Sequence, residues 1–514
     1  MDSSAYVAII DFGSQTTMLI ARKIRELGVM ATIVPHTTAQ QHLQEHPPLA
    51  IILSGGFSSV YAEKAPRLDA KILGHHVPVL GICYGMQLLA TQLGGLVTPS
   101  SHKEFGQRTI EVDTTSLLFD GLNSPLSVWM SHGDQVTLDS PKVKTIAKSP
   151  SCPHVALEYT EQKIYGLQFH PEVFHTTKGT EILANFLFKI AGLKPNFSLT
   201  NFLDAATSQI KELVQNSHVL MALSGGVDSS VAASLIHRAI GSRLHCVYVD
   251  HGLGRLDEVL EIRRLFQEQL RMDCIIIDAS EQFFKALQGI TDPERKRKII
   301  GGLFIEIFEH ESKRWPEVKF LGQGTLYPDV IESSSQGHVI KSHHNVGGLP
   351  ERMNLHLVEP LRSLFKDEAR AVGALLGLPP SLIYRQPFPG PGMAVRVVGE
   401  VTRDAVQLLK KADWIVRDEI ERAMAADIIK QPLWQWFAIL LPVSSVGVQG
   451  DARSYGKTIV VRAVESQDAM TADWAFLPQD LLQRISNRIT NEVSGISRVL
   501  YDITQKPPGT IEWE

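Results

Sequence analysis

Two strand-to-helix junctions, each broken by glycine, limit what this chain can become. In the first, an apolar run over residues 77–82 enters Gly81-Ile82-Cys83-Tyr84-Gly85-Met86-Gln87 and continues as a helical pattern over residues 84–93. In the second, Val219-Leu220-Met221-Ala222-Leu223 passes through Ser224-Gly225-Gly226-Val227-Asp228-Ser229-Ser230 into a helix ending near residue 240. Continuous apolar strands that turn at once into helices are buried on both faces, so the sheets they form are largely parallel and covered by helices. Further strand patterns at residues 6–11, 50–54 and 245–250, with helical patterns at 17–27 and up to 215, repeat the same βαβ rhythm on both sides of these junctions. The expected class is α/β, with two consecutive open, mainly parallel α/β domains.

A chain of 514 residues exceeds what one hydrophobic core usually organises. Gly192-Leu193-Lys194-Pro195-Asn196 interrupts a helical pattern and sets a first boundary. Arg385-Gln386-Pro387-Phe388-Pro389-Gly390-Pro391-Gly392 sets a second, because its prolines fix φ and remove amide donors. Three domains are expected: residues 1–194, 195–389 and 390–514. The last combines a helical stretch at 403–425 with strand-like runs at 458–463 and 499–503, a smaller α+β unit.

A net charge of -5 gives no overall attraction to a polyanion, so no nucleic-acid partner is expected. Cys83, Cys152, Cys246 and Cys274 are too scattered for a zinc site or a disulfide scaffold and read as reduced thiols. No apolar run reaches the roughly 18 residues of a membrane helix, and no leader pattern opens the chain. The expected location is the cytoplasm, without membrane contact.

Cys83 falls on a tight elbow whose helix N-terminus favours the thiolate. An isolated buried cysteine is usually a small packing residue, but the elbow frame argues for a nucleophile. Such a nucleophile needs a base, and the base an orienting acceptor. His170 and Glu172 supply both in Gly166-Leu167-Gln168-Phe169-His170-Pro171-Glu172, at the end of another strand pattern. Ser54-Gly55-Gly56 offers amides that can join the Tyr84 amide in an oxyanion hole.

Over residues 5–192 these features resemble the class I glutamine amidotransferases. The resemblance implies a Cys83, His170, Glu172 triad, oxyanion amides at Gly56 and Tyr84, and a glutamine site at Gln87 and at Ser131, His132 and Asp134 of Ser131-His132-Gly133-Asp134. Cys83 would attack the side-chain amide of glutamine, releasing ammonia and leaving a thioester for water to clear. Phe57 stands where that family usually has proline.

The second glycine loop presents free amides and hydroxyls at a helix N-terminus, a setting for phosphate. Asp228 is out of place there unless a cation bridges it to the phosphates, so it is assigned to Mg²⁺. A lysine before the serine is missing, which excludes a Walker A loop. The loop resembles that of the ATP pyrophosphatases, which cleave ATP between its α and β phosphates and transfer AMP. ATP contacts are therefore expected at Ser224, Gly225, Gly226, Val227, Asp228, Ser229 and Ser230. Val249 and Asp250 follow at the next strand end, and Gly322 and Lys366 match the same subfamily. Asp292 and Pro293 open a helix whose basic run Arg295-Lys296-Arg297-Lys298 is either a solvated face or a cationic lid over the triphosphate.

Ammonia from one site and AMP transfer at the other fit the replacement of a carbonyl oxygen by nitrogen. The acceptor comes only from resemblance, across nearly the whole chain, to the glutamine-hydrolysing GMP synthase family. Its carriers are Pro387-Phe388-Pro389-Gly390-Pro391-Gly392, Lys341-Ser342-His343-His344-Asn345-Val346-Gly347-Gly348-Leu349-Pro350 and Lys506-Pro507-Pro508-Gly509-Thr510-Ile511-Glu512-Trp513-Glu514. It implies xanthosine 5′-monophosphate (XMP) as acceptor, contacts to it at Arg396, Gln449, Lys506, Ile511 and Glu512, and a homodimer formed through residues from about 390. Gln386 replaces a usual histidine, and Gly509 a usual alanine. The apolar and aromatic content of the last nine residues predicts a docked tail rather than a frayed end. Two other readings remain open: a nucleotide-thiolating relative of the pyrophosphatases, which leaves the triad unexplained, and a nucleotide-binding regulator, which leaves it unused.

Overall fold

The computed structural model describes residues 5–69, 72, 76–137, 140–159, 161–330, 355–449, 452–466 and 471–514. The segment at residues 341–350 lies outside them. The chain forms two compact units, Met1–Phe202 and Leu203–Glu514.

In the first unit the strands are β1 (Val7–Phe12), β2 (Ala31–Pro35), β3 (Ala50–Gly56), β4 (Val79–Ile82), β5 (Leu96–Val112), β6 (Leu126–Thr137), β7 (Val143–Lys148), β8 (Ala156–Tyr159) and β9 (Ile164–Leu167). Their order in the sheet is β2-β1-β3-β4-β9-β8-β7-β5-β6. The five strands from β2 to β9 pair in parallel, and the apolar runs of β1, β3 and β4 are buried almost end to end, as their sequences require. The other half of the sheet is antiparallel. The sequence reading missed that half for a physical reason: a strand with one solvated face alternates polar and apolar residues, as β6 does, and carries no continuous apolar run. Helix α1 (Thr17–Glu26) and helix α2 (Tyr84–Gln92) follow β1 and β4.

The second unit holds a five-stranded parallel sheet of β10 (His218–Leu223), β11 (Leu244–Asp250), β12 (Asp273–Asp278), β13 (Val318–Gly322) and β14 (His356–Val358), ordered β12-β11-β10-β13-β14. Helix α3 (Val227–Ile240) leaves β10 through the glycine loop. Helix α4 (Pro293–Ser312) starts as expected, with the Asp292 side chain accepting from the Arg295 amide at 2.8 Å. After α5 (Lys366–Leu375) and the proline-rich segment come α6 (Arg403–Ala425), where the helical pattern placed it, and α7 (Gln479–Glu492). These last two helices pack with a second sheet of β15 (Gln435–Gln449), β16 (Ala452–Glu465), β17 (Asp473–Trp474) and β18 (Ile496–Tyr501). One continuous core, from Leu220 and Val247 through Met393 to Ile415, Val461 and Ile485, joins both sheets of this unit.

Candidate active sites

Cys83 joins β4 to α2 with φ 51 and ψ -104, a left-handed conformation that costs a non-glycine residue roughly 1–3 kcal/mol. The surroundings enforce it. A Cβ on Gly81 would lie 2.6 Å from the Met86 amide nitrogen, and one on Gly85 would collide with the Leu53 carbonyl, so only glycines let the turn close. The Cys83 amide donates to the Leu167 carbonyl at 2.6 Å, which ties the elbow to the end of β9.

His170 follows β9 and is buried, with Nδ1 2.7 Å from Glu172 Oε1. Burial alone would lower its pKa. The Glu172 charge and its hydrogen bond, together with the nearby Cys83 sulfur, outweigh that and raise it well above the usual imidazole range. Cys83, His170 and Glu172, the three residues of the expected triad, are thus brought together where β4 and β9 end. Among the described residues Glu172 Oε2 is buried without a partner.

Tyr84 opens α2, so its amide has no intrahelical acceptor. Gly56 ends β3 against the Tyr84 ring, which a Cβ there would approach to 2.9 Å. The Phe57 side chain is 81% exposed, with its ring edge over Gly13. Gln87 is buried beside Cys83, and its Nε2 reaches the Asp134 carbonyl at 3.5 Å and Gln168 Oε1 at 3.4 Å. The Ser131 carbonyl accepts from the Cys83 thiol at 3.7 Å.

His132 points into the protein: its Nδ1 lies 2.9 Å from the Asp134 carbonyl and its Nε2 3.1 Å from Glu104 Oε2. Asp134 Oδ1 accepts from the Tyr61 hydroxyl at 2.9 Å. Sequence reading missed Gln168, whose Nε2 donates to the Cys83 sulfur at 3.7 Å. Gln168 lies in the same short motif as His170, two residues before it, just past the end of β9. Sequence reading also missed Glu104, whose Oε1 accepts from Ser149 at 3.0 Å and Ser151 at 2.5 Å while Oε2 holds His132.

In the second unit Gly225 adopts φ 72 and Gly226 caps α3, turning the loop over the helix N-terminus. Ser224 and Ser229 hydroxyls lie 3.0 Å apart, and Ser230 donates to the Gly226 carbonyl at 2.8 Å. Val227 and Asp228 form the first turn of α3. Asp228 Oδ2 faces Lys366 Nζ at 3.4 Å, while its Oδ1 is buried with no partner among the described residues. An ion pair this exposed contributes only about 0–1 kcal/mol, so it does not fix Lys366 against a competing phosphate. The unpartnered carboxylate oxygen fits a hard divalent cation, which takes one or two carboxylates and completes its shell with phosphate and water.

Val249 is buried at the end of β11, and Asp250 Oδ1 accepts from the Gly252 amide at 2.8 Å. Burial pushes the neighbouring His251 imidazole down to about 3, helped by Lys410, so it is neutral and its Nδ1 accepts from the Leu253 amide at 2.9 Å. Gly322 closes β13. Two residues on, a Cβ on Gly324 would come within 2.9 Å of the Asp228 backbone, which brings this segment against the loop. Arg385, not singled out from sequence, donates to the Gly225 carbonyl at 3.0 Å and to Glu261 at 2.6 Å.

The tail is docked. Arg462, buried in β16, donates to the carbonyls of Thr504, Thr510 and Ile511 and to Asp502. Ile511 packs with Phe437, Ile439 and Val460, and full burial of such a side chain contributes about 1.5–3 kcal/mol against roughly 0.5–1 kcal/mol of lost rotamer freedom. Glu512 receives Arg396 Nε at 3.0 Å and Nη2 at 2.7 Å, with Gln435 at 2.7 Å, so three of its four acceptor sites are used. Lys506 pairs through its backbone with Ala472, and Gln449 ends β15, where only its backbone is described.

Gln386 Oε1 accepts from the Trp436 amide at 2.8 Å. Arg255, also missed, is buried beside it, donating to the Gln386 and Pro387 carbonyls and stacking 4.6 Å over Phe388. Its Nε has no partner among the described residues. The basic run of α4 is neither a purely solvated face nor a lid at Lys296. That ammonium is fully buried and bonds the carbonyls of Ala394 and Val397 and the Glu514 carboxylate.

The chain matches two family models: glutamine amidotransferase class-I over residues 8–190, and the GMP synthase C terminal domain over residues 421–513. It is 50% identical over 509 residues to the protein named GMP synthase [glutamine-hydrolyzing] of Clostridium acetobutylicum, covering 99% of both chains. It is 51% identical over 509 residues to the proteins of that name from Clostridium novyi and Carboxydothermus hydrogenoformans, again with 99% of each chain covered.

Proposed function

The chain belongs to the glutamine-hydrolysing GMP synthases, and from that membership we propose how its residues divide the work. It is an ATP-dependent ligase of purine nucleotide biosynthesis that converts XMP to GMP with nitrogen from glutamine, forming AMP, pyrophosphate and glutamate.

Cys83 attacks the glutamine side-chain amide. His170, as imidazolium, protonates the departing ammonia and then, as base, takes a proton from the water that clears the thioester, while Glu172 holds the ring. The amides of Tyr84 and Gly56 receive the developing oxyanion, and Gln87, Ser131 and Asp134 hold the substrate, with His132 positioning that segment from behind. In the second unit the loop from Ser224 to Ser230, with Val249, Asp250, Gly322 and Lys366, binds ATP. Asp228 holds Mg²⁺, which when bound draws negative charge from the phosphates. Lys366 exchanges Asp228 for a phosphate oxygen. AMP passes to the carbonyl oxygen of XMP, giving ammonia a target with a good leaving group. The acceptor lies among Arg396, Gln449, Lys506, Ile511 and Glu512, and Arg255 joins them as a buried cation with a spare donor.

The same reading divides the chain at residues 194 and 389 into glutaminase, ATP pyrophosphatase and C-terminal domains. It also carries a homodimer, supported by Val446, Val448 and Tyr455, exposed on one face of the β15–β16 hairpin. A cytoplasmic setting fits four cysteines that are all free and buried, and among the described residues no helix is long and apolar enough to cross a membrane.

The observation that carries the division of labour is the Cys83 elbow, tied to the end of β9, beside a buried histidine whose Nδ1 lies 2.7 Å from a carboxylate. It is tested by Cys83→Ala, which should abolish GMP formation from glutamine yet leave formation from added ammonium intact. Loss of both in a folded variant would refute it.

A further inference from the structure

Four polar side chains meet where the strands of the five-stranded sheet begin, at the opposite edge from the glycine loop. His218 opens β10, His245 is the second residue of β11, Asp273 opens β12, and Glu317 directly precedes β13. The parallel register aligns these starts, pairing His245 with Asp273 and His218 with Val318. The two imidazole planes are 16° apart and meet nitrogen to nitrogen, His218 Nδ1 to His245 Nε2, at 2.9 Å. Glu317 Oε1 is 3.7 Å from the same His218 nitrogen. Behind them, Asp273 Oδ2 lies 2.6 Å from His245 Nδ1, and Trp315 covers the His245 ring at 4.8 Å.

The Asp273 carboxylate only accepts, so His245 carries its proton on Nδ1 and presents a lone pair at Nε2. One proton on His218 Nδ1 then serves both the His245 lone pair and the nearby Glu317 oxygen. Replacing that proton by a cation would satisfy all three ligand atoms at once, and they already lie within 4.8 Å of one another. An imidazole whose far nitrogen is held by a carboxylate is the usual orienting arrangement behind a metal-bound histidine.

We propose that His218, His245 and Glu317 bind a zinc-type divalent cation, with Asp273 orienting His245 and water completing the shell. Two imidazoles and one carboxylate select Zn²⁺, Co²⁺ or Ni²⁺ over Mg²⁺, which prefers oxygen ligands alone. Tetrahedral bonds of about 2.1 Å place ligand atoms about 3.4 Å apart, so the imidazoles separate by roughly half an ångström and Glu317 moves inward. Glu317 has that freedom, since its side chain is 45% exposed. The site is about 20 Å along β10 from the glycine loop, at 3.3 Å per residue, and so is separate from Asp228. Its role is to clamp four strand starts rather than to touch a substrate. Among the described residues the other cluster of this kind, Glu104, His132 and Cys152, is less suited, because serine hydroxyls and His132 already occupy the Glu104 oxygens.

The test is equilibrium dialysis of Co²⁺ against the full chain carrying Cys83→Ser, which removes the triad thiolate as a competing ligand, with Mg²⁺ in excess. One Co²⁺ per chain is expected, with ligand-field absorption and no thiolate charge-transfer band. Binding should weaken at least about 10-fold in His218→Ala and in Glu317→Gln, and about 10-fold in Asp273→Asn. Circular dichroism would confirm that each variant is folded, and Glu317→Gln, at an exposed side chain, keeps the test open if His218→Ala fails to fold. Absence of bound Co²⁺, or binding unchanged in Glu317→Gln and in folded His218→Ala, would overturn the assignment.

Discussion

The two strand–glycine–helix loops begin alike, as passages from a buried parallel strand into a helix, and end in opposite states. Around Cys83 the protein supplies nearly every partner: Ser131 and Gln168 contact the sulfur, Gln87 meets Gln168, and His170 is held by Glu172. Around Asp228 the loop hydroxyls bond the loop's own backbone and one another, and one carboxylate oxygen stays buried and unpartnered among the described residues. The difference follows from the chemistry. Covalent attack by a thiol requires atoms fixed before the substrate arrives, whereas phosphate chemistry brings in charges that complete the site's own balance.

That contrast can be broken at either loop. The largest effect is expected for Asp228→Asn: AMP and pyrophosphate release with XMP should fall on the order of 10³-fold with either nitrogen source, leaving the Cys83 site chemically intact. An unchanged rate of pyrophosphate release would exclude the assigned metal role.

Glu172→Gln should lower glutamine-dependent turnover by about 10²–10³-fold while sparing ammonium-dependent synthesis. Because the Glu172 charge raises the His170 pKa, removing it lets the imidazolium lose its proton at lower pH. The alkaline limb of glutaminase kcat/KM should therefore move down; a limb that stays in place, or moves up, would show that Glu172 does not set the charge of His170. Smaller, about 10-fold, is the expected loss of XMP affinity in Glu512→Gln, since Arg396 keeps one carbonyl acceptor but loses its bidentate partner. ATP affinity should hardly change, and equal weakening of both ligands would remove the tail from the acceptor pocket.

How legible each feature was follows its sequence separation. The Cys83 elbow, the Asp292 cap and the span of α6 depend on neighbours within a few residues, and glycine, aspartate and helical periodicity announce them. Gln87 with Gln168, Arg396 with Glu512, and Lys296 with Glu514 join residues 81, 116 and 218 apart, and no local pattern links one member of a pair to the other. Lys296 is the sharpest case. Its place in a run of four basic residues suggests water or a ligand, yet burial with two carbonyls and a carboxylate makes it the anchor of the C-terminus.

By itself, then, the sequence determined the two strand–glycine–helix loops and the kinds of chemistry they allow, because backbone sterics and helix-end electrostatics act over a few residues. Only the tertiary structure decided which distant side chains close each site: Glu104 behind His132, Arg385 on the glycine loop, Arg396 on the tail. Those partners are chosen by burial, where a polar group left unpaired costs more than the chain entropy of bringing its partner from far along the sequence.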